Sequence, residues 1–91
     1  MISIVIKRDG REDKYNPNKI NTAISKAFAE VDGSITDESK LIIDRITSQI
    51  TDMGKKKMSV EEIQDIVETK LMQSSRKDVA KAYIIYRIPK K

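Results

Sequence analysis

Three cationic side chains, Lys7, Arg8 and Lys19, lie beside a turn signal and a helix-start signal. The turn is Asp9-Gly10, a pair suited to the positive φ that a tight hairpin loop demands. The helix start is Asn16-Pro17, an N-cap followed by proline at the first helical position, where its missing N–H costs nothing. Free backbone N–H groups and the positive end of the helix dipole would add to the cations. Together these groups describe an anion site, with phosphate as the anion. A purine would fit between the hairpin side chains and the apolar edge of the helices, around Val5, Tyr15 and Ile20. The plainer alternative is a hairpin whose exposed charges cross-pair, Lys7 with Glu12 for example.

Positioning these groups falls first to a hairpin of residues 2–7 and 11–15. Ile2, Ile4 and Ile6 alternate with Ser3, Val5 and Lys7, the period-2 pattern of a strand with one buried face. If Asp9-Gly10 is the whole loop, Arg8 faces Arg11, Lys7 faces Glu12 and Ile4 faces Tyr15. That alternation sends Lys7 and Arg8 to opposite faces, so one ligand reaches both only if a bulge or the strand's twist turns one of them round.

Helices must supply the rest. Ile20, Ala23, Ile24, Ala27, Phe28 and Val31 form one apolar stripe from Pro17 to about Val31, and Gly33 stops it. Thr36 caps a second helix with Asp37 and Glu38 in its first turn, buried through Ile42, Ile43, Ile46, Ile50 and Met53 and ended by Gly54. Ser59-Val60-Glu61-Glu62 is a capping box for a third, with Met58 and Ile63 at the hydrophobic-staple positions. Lys57 to Ser59, if extended, would add a third strand to the hairpin. A last helix is expected over about 76–88, with Val79, Ala82, Tyr83 and Tyr86 on one face and Pro89 ending it. The fold class is α+β, mostly α: a four-helix bundle capped by a small β-hairpin or three-stranded sheet, as a single domain over residues 1–91.

Composition removes most enzymatic chemistry. The chain contains no cysteine and no histidine, which excludes disulfides, thiol nucleophiles, mechanisms built on a His base and zinc sites made of Cys and His. Glu61-Glu62 is accounted for by helix capping, and Gly54-Lys55 lacks the upstream Gly and following Ser or Thr of a P-loop. No catalytic residue, no protein metal ligand and no enzyme activity are therefore expected. A net charge of +4 asks for an anionic partner and leaves nucleotide, nucleic acid and acidic protein open. A small basic nucleic-acid-binding module is the second reading, drawing on Arg8, Arg11, Lys14, Lys19, Lys55 to Lys57, Arg76, Lys77, Lys90 and Lys91. Against it, fourteen acidic residues are interspersed with eighteen basic ones, and aromatic residues are few. Neither a membrane-spanning run nor a secretory signal is present in the sequence, so a cytoplasmic location without a membrane partner is expected.

The segment Val5-Ile6-Lys7-Arg8-Asp9-Gly10, then Asn16-Pro17, Lys19-Ile20 and the stripe from Ala23 to Phe28, resembles the ATP cone, the allosteric nucleotide-binding domain at the N-terminus of many ribonucleotide reductases. Ser59-Val60-Glu61-Glu62-Ile63-Gln64 and Asp78-Val79-Ala80-Lys81-Ala82-Tyr83-Ile84-Ile85-Tyr86-Arg87 extend the resemblance over essentially the whole chain. Its wording is most similar to cones of anaerobic ribonucleoside-triphosphate reductases. The resemblance implies a four-helix bundle under a small β lid that binds ATP or dATP, with Mg2+, and performs no chemistry itself. It implies phosphate contacts from Lys7, Arg8 and Lys19, a nearby polar contact from Asn16, and a wall around the base from Val5, Tyr15 and Ile20. Gln64 would add a polar contact from the third helix and Lys90 a basic contact near the C-terminus, while Asp13 stands where some members carry Glu. In such domains ATP leaves the attached reductase active and dATP turns it off by changing subunit assembly. The expected partners are thus an adenine nucleotide and either a second copy or a reductase subunit. The absence of cysteine rules out both a reductase's radical chemistry and a zinc ribbon, so the chain is expected to be a free-standing cone or a domain excised from a larger enzyme.

Overall fold

The computed structural model describes residues 2–87. Its elements run β1 (Ile4–Ile6), β2 (Glu12–Lys14), α1 (Pro17–Asp32), α2 (Asp37–Thr51), β3 (Lys57–Ser59), α3 (Val60–Gln73) and α4 (Lys77–Arg87). The strands form one sheet in the order β2-β1-β3, with β1 antiparallel to β2 and parallel to β3. Parallel neighbours need a long crossover, and α1 and α2 provide it. The expected mostly helical α+β fold, with the third strand at Lys57–Ser59, is what the chain adopts.

Helix ends follow from their caps. Asn16 holds an extended conformation and its side chain accepts from the Asn18 N–H, with Pro17 next in the first turn. Gly33 takes φ 79°, and its N–H closes α1 on the Ala29 carbonyl. Thr36 and Ser59 cap α2 and α3 through the Ser39 and Glu62 N–H groups. Only one half of the expected capping box is visible at α3, because the Glu62 carboxylate binds Lys55 Nζ at 3.0 Å. Ser59 is at once the last residue of β3 and the cap of α3, so no spacer separates strand from helix. The expected end of α4 at Ile88 and Pro89 lies outside the described residues.

Two details of the hairpin depart from expectation. Its register pairs Ile4 with Lys14, Val5 with Asp13 and Ile6 with Glu12, one residue away from the two-residue-loop register. The Lys7 N–H donates to the Arg11 carbonyl at 2.8 Å and the Gly10 N–H to the Lys7 carbonyl at 2.9 Å, while Gly10 sits at φ 89°. The loop is thus Arg8-Asp9-Gly10, a turn followed by one left-handed glycine. Because strand side chains alternate, the one-residue shift flips their faces. Val5 and Tyr15, themselves half-buried, pack against the core; Ile4 and Ile6 are half-buried without joining it, and Ile2 alone of the three isoleucines is fully buried.

The core is built on Phe28 and Ile24 of α1, Ile43 and Ile50 of α2, and Val67 and Leu71 of α3, all at or near zero exposure. Met58, at the centre of β3, joins it. Ile42 and Met53, expected in the buried face of α2, pack only partly against this core. α1 packs on α2 and α4, and α3 packs on α4. A charged tie closes the far end: Arg76 makes a two-pronged contact with Asp32, at 3.0 and 2.6 Å, and also reaches Asp78 at 3.1 Å. Its guanidinium lies 5.5 Å from the Phe28 ring centroid.

Two stability outcomes follow. Gly33→Ala forces a Cβ into a left-handed backbone and is expected to cost about 1 kcal/mol in urea denaturation. The Arg76 hydrogen bonds hold the Asp32 and Asp78 carboxyls below the usual value of 3.8. Carboxyls depressed in the folded state stabilise it above their unfolded pKa, and that contribution disappears as pH falls through the folded values. Thermal stability should therefore drop below about pH 4, and Arg76→Leu should flatten that dependence; an unchanged acid limb would count against the tie.

Candidate functional site

The hairpin, the start of α1, the start of α3 and the last two turns of α4 enclose a half-open cavity of about 210 Å3. Val5 and Lys7 reach it from β1 and the residue after it, Asp13 and Lys14 from β2, and Tyr15 and Asn16 from the link to α1. Lys19, Ile20 and Ala23 line it from α1, Val60, Ile63 and Gln64 from α3, and Tyr83 and Tyr86 from α4. This lining is largely apolar, with cations on its hairpin and α1 side. The volume is below the ~300–1,000 Å3 of common ligand pockets, so a larger ligand would lodge one end inside and leave the other at the mouth.

The hairpin register creates this wall. With Val5 opposite Asp13, the residues Val5, Lys7, Asp13 and Tyr15 fall on the same side of the ribbon, and all four line the cavity. Lys7 Nζ pairs with the Asp13 carboxylate at 3.4 Å rather than with Glu12, which instead binds Lys57 at 2.9 Å. The Asp13 carboxyl is held below its usual value, first by the Lys14 N–H and then by Lys7. Tyr15 is fixed by its hydroxyl, which shares a hydrogen bond of 2.7 Å with Thr51 at the end of α2.

Arg8 resolves differently from the two-residue-loop reading. As the first loop residue it is freed from strand alternation, and its guanidinium turns to α3 and α4. It donates to Gln64 Oε1 at 3.2 Å and to the Arg87 carbonyl at 3.5 Å, and lies 3.4 Å from the Glu61 carboxylate. Arg8 thus does not line the cavity but holds Gln64, which does. The first turn of α1 also offers fewer free donors than its sequence suggests. Pro17 has no N–H, the Asn18 N–H goes to Asn16 Oδ1 at 2.9 Å, and the Lys19 N–H goes to the Asn16 carbonyl at 3.1 Å. Attraction for an anion there rests on the Lys7 and Lys19 ammonium groups and the helix dipole.

Of the residues singled out in the sequence, Val5, Lys7, Tyr15, Asn16, Lys19, Ile20 and Gln64 come together here, with Arg8 one hydrogen bond away. Lys90 lies outside the described residues. The α4 stripe puts Tyr83 and Tyr86 on one apolar face, where core packing is the default expectation. Tyr83 is buried, but Tyr86 is 48% exposed and both border the cavity, their ring centroids 6.1 Å apart. Val60 and Ile63 enter because α3 begins directly at the sheet, which the capping signal at Ser59 could have indicated.

The model of the ATP cone domain family matches residues 3–91. The chain belongs to the ATP-cone family. ATP cones are allosteric nucleotide-binding regulatory domains of ribonucleotide reductases. The cone is 41% identical, over 96% of its length, to a vitamin B12-dependent ribonucleoside-diphosphate reductase of Thermoplasma acidophilum, covering 12% of that protein. It is 39% identical, over 94% of its length, to a ribonucleoside-diphosphate reductase subunit alpha of Chlamydia pneumoniae, covering 9%. An anaerobic ribonucleoside-triphosphate reductase of Haemophilus influenzae is 39% identical over 91% of the cone and 12% of the reductase. The similarity therefore extends beyond the anaerobic reductases, and the chain spans about a tenth of the length of these relatives.

The Lys7–Asp13 pair yields a direct test. Asp13→Asn removes the carboxylate that occupies Lys7, and inorganic tripolyphosphate should then bind a few-fold more tightly, the worth of one exposed ion pair being about 0.2–1 kcal/mol. Calorimetric affinities for the two proteins measure this, and weaker binding to the variant would show that Asp13 supports the anion instead.

Proposed function

We propose that this cone is a non-catalytic adenine-nucleotide sensor that binds ATP or dATP in the cavity between hairpin and bundle. Its output would be a nucleotide-dependent change in association, with a ribonucleotide reductase subunit or with a second copy. The observation that carries the reading is the pairing, in one cavity, of an apolar lining with Lys7 and Lys19 on the same rim. A flat base suits Val5, Tyr15, Ile20 and Ile63, and a triphosphate suits the lysines, with Arg8 within reach from the hairpin tip. Asn16 and Gln64 add neutral hydrogen-bonding groups between these ends. Magnesium fits this arrangement as a cation carried on the phosphates. Asp13 is the one carboxylate in the lining, and no cluster of three metal-ligating side chains occurs among the described residues.

ATP and dATP differ only in the 2′-hydroxyl. A sensor that answers them differently needs two conformational or assembly states and a coupling energy of about 1–3 kcal/mol between nucleotide and state. Of the cations in the nucleic-acid reading, Lys55 pairs with Glu62, Lys57 with Glu12, Arg8 with Glu61, Arg11 with Asp9, and Arg76 with two carboxylates. That arrangement favours a small anionic ligand over an extended one.

Calorimetric titration with Mg-ATP and Mg-dATP tests the proposal. Micromolar binding of either is the expected result, with a stoichiometry that fixes the number of nucleotides per chain. Lys7→Ala and Lys19→Ala should each weaken the triphosphate about tenfold or more, in line with the ~1.5–3 kcal/mol of a charged hydrogen bond, with little change in thermal midpoint. Unaltered affinity in both variants would remove the phosphate assignment, and the absence of any heat or thermal shift in the wild type would remove the sensor reading.

A further inference from the structure

Among the described residues four arginines are paired with carboxylates, and they are held with unequal firmness. Arg76 grips Asp32 at 2.6 and 3.0 Å, Arg87 reaches Asp65 at 2.8 Å and Glu68 at 3.0 Å, and Arg11 meets Asp9 at 2.6 Å. These are the short contacts of charge-assisted hydrogen bonds. Arg8 is held at longer range. Its Nε stands 3.4 Å from the Glu61 carboxylate, and its Nη2 donates to the Gln64 amide oxygen at 3.2 Å and to the Arg87 carbonyl at 3.5 Å. Both side chains of the Arg8–Glu61 pair are 47% exposed, and exposed pairs of this kind contribute little. Arg8 is also the first residue of the hairpin loop, beyond the paired residues of β1 and β2. Its side chain can therefore change partners without disturbing a strand.

We propose that Glu61 sets the anion affinity of the cavity by holding Arg8 away from it, and that a bound triphosphate takes Arg8 from Glu61. The proposal deepens the sensor reading and rests on it. Lys7, the chain neighbour of Arg8, lines the cavity, and so does Gln64, to which Arg8 is bonded. The guanidinium thus stands where the hairpin tip meets the cavity residues. Its planar fork matches two phosphate oxygens better than one carboxylate oxygen, an amide oxygen and a carbonyl. Glu61 is free for this part, because the cap of α3 is made by Ser59 with the Glu62 N–H. The exchange also has a structural consequence. The Arg8 contacts join the hairpin tip to the first two turns of α3 and to the end of α4, and all are given up together. Nucleotide binding and the hold of the hairpin on α3 and α4 are then opposed, so whatever tightens one weakens the other.

A double-mutant cycle tests the exchange, with Glu61→Gln, Arg8→Gln and the two combined. Each protein is titrated by calorimetry with inorganic tripolyphosphate and with Mg-ATP, and thermal midpoints confirm folding. Glu61→Gln should tighten tripolyphosphate about two- to fivefold, Arg8→Gln should weaken it, and Glu61→Gln added to Arg8→Gln should bring no gain. An equal gain in both backgrounds would reduce Glu61 to a distant charge and overturn the exchange. Unchanged or weaker binding in Glu61→Gln would overturn it too, since Arg8 would then keep Glu61 while the anion is bound. In both cases Mg-ATP binding by the wild type leaves the sensor reading standing. If the wild type binds neither Mg-ATP nor tripolyphosphate, the sensor reading falls and the exchange with it.

Discussion

One glycine dihedral sets the register on which the cavity depends. Gly10 at φ 89° lets the loop hold three residues, and the third residue moves every cross-strand pair by one place. Val5, Lys7, Asp13 and Tyr15 then share one side of the ribbon. With a two-residue loop, Tyr15 would have shared a face with Ile4 and Ile6, and the wall of the cavity would have lost either its lysine or its aromatic ring. A two-residue type I′ turn would need positive φ at Asp9 as well as Gly10, whereas in the observed loop only the glycine enters the left-handed region.

Around that register the fold divides its labour. The helices supply nearly all the buried apolar surface, through stripes that meet at Phe28, Ile50 and Leu71. The sheet contributes little burial of its own beyond Met58, but orients polar groups at one end of the bundle. Charge pairs then tie the ends of elements together: Arg76 joins the end of α1 to the start of α4, Arg87 joins the end of α4 to α3, and Arg8 joins the hairpin tip to both. These pairs are largely at the surface, so each adds modestly to stability and more to the relative placement of the parts.

The helices were legible in the sequence because their boundaries carry chemistry. Asn16-Pro17, Gly33, Thr36 and Ser59 each satisfy orphaned backbone groups in a way few other residues can, and α1 spans the expected residues to within one. The third strand was legible too, since Lys57–Ser59 had to span between a helix end and a capping box. Loop length was not, because Asp-Gly serves both a two-residue turn and the end of a three-residue one. The faces of the strand were misread for the same reason: β1 has apolar residues at three successive positions, Ile4, Val5 and Ile6, and alternation alone does not say which side the helices cover. Tyr86 was hidden by its place at the border of a stripe, where helical periodicity cannot tell a core position from a cavity wall.

The junction at Ser59 carries a mechanical consequence. Strand β3 ends and helix α3 begins at the same residue, so there is no slack between them. Because β1 and β3 share a parallel ladder, any displacement of β1 that keeps the ladder would carry β3, and with it the first turn of α3. By comparison, four residues, 33–36, separate α1 from α2, and five, 52–56, separate α2 from β3. An added residue at the strand–helix junction would have nowhere to go: it would unmake the cap or slip the ladder. The placement of α3 is thus tied to the placement of the sheet more directly than that of any other helix, because one residue, Ser59, belongs to both.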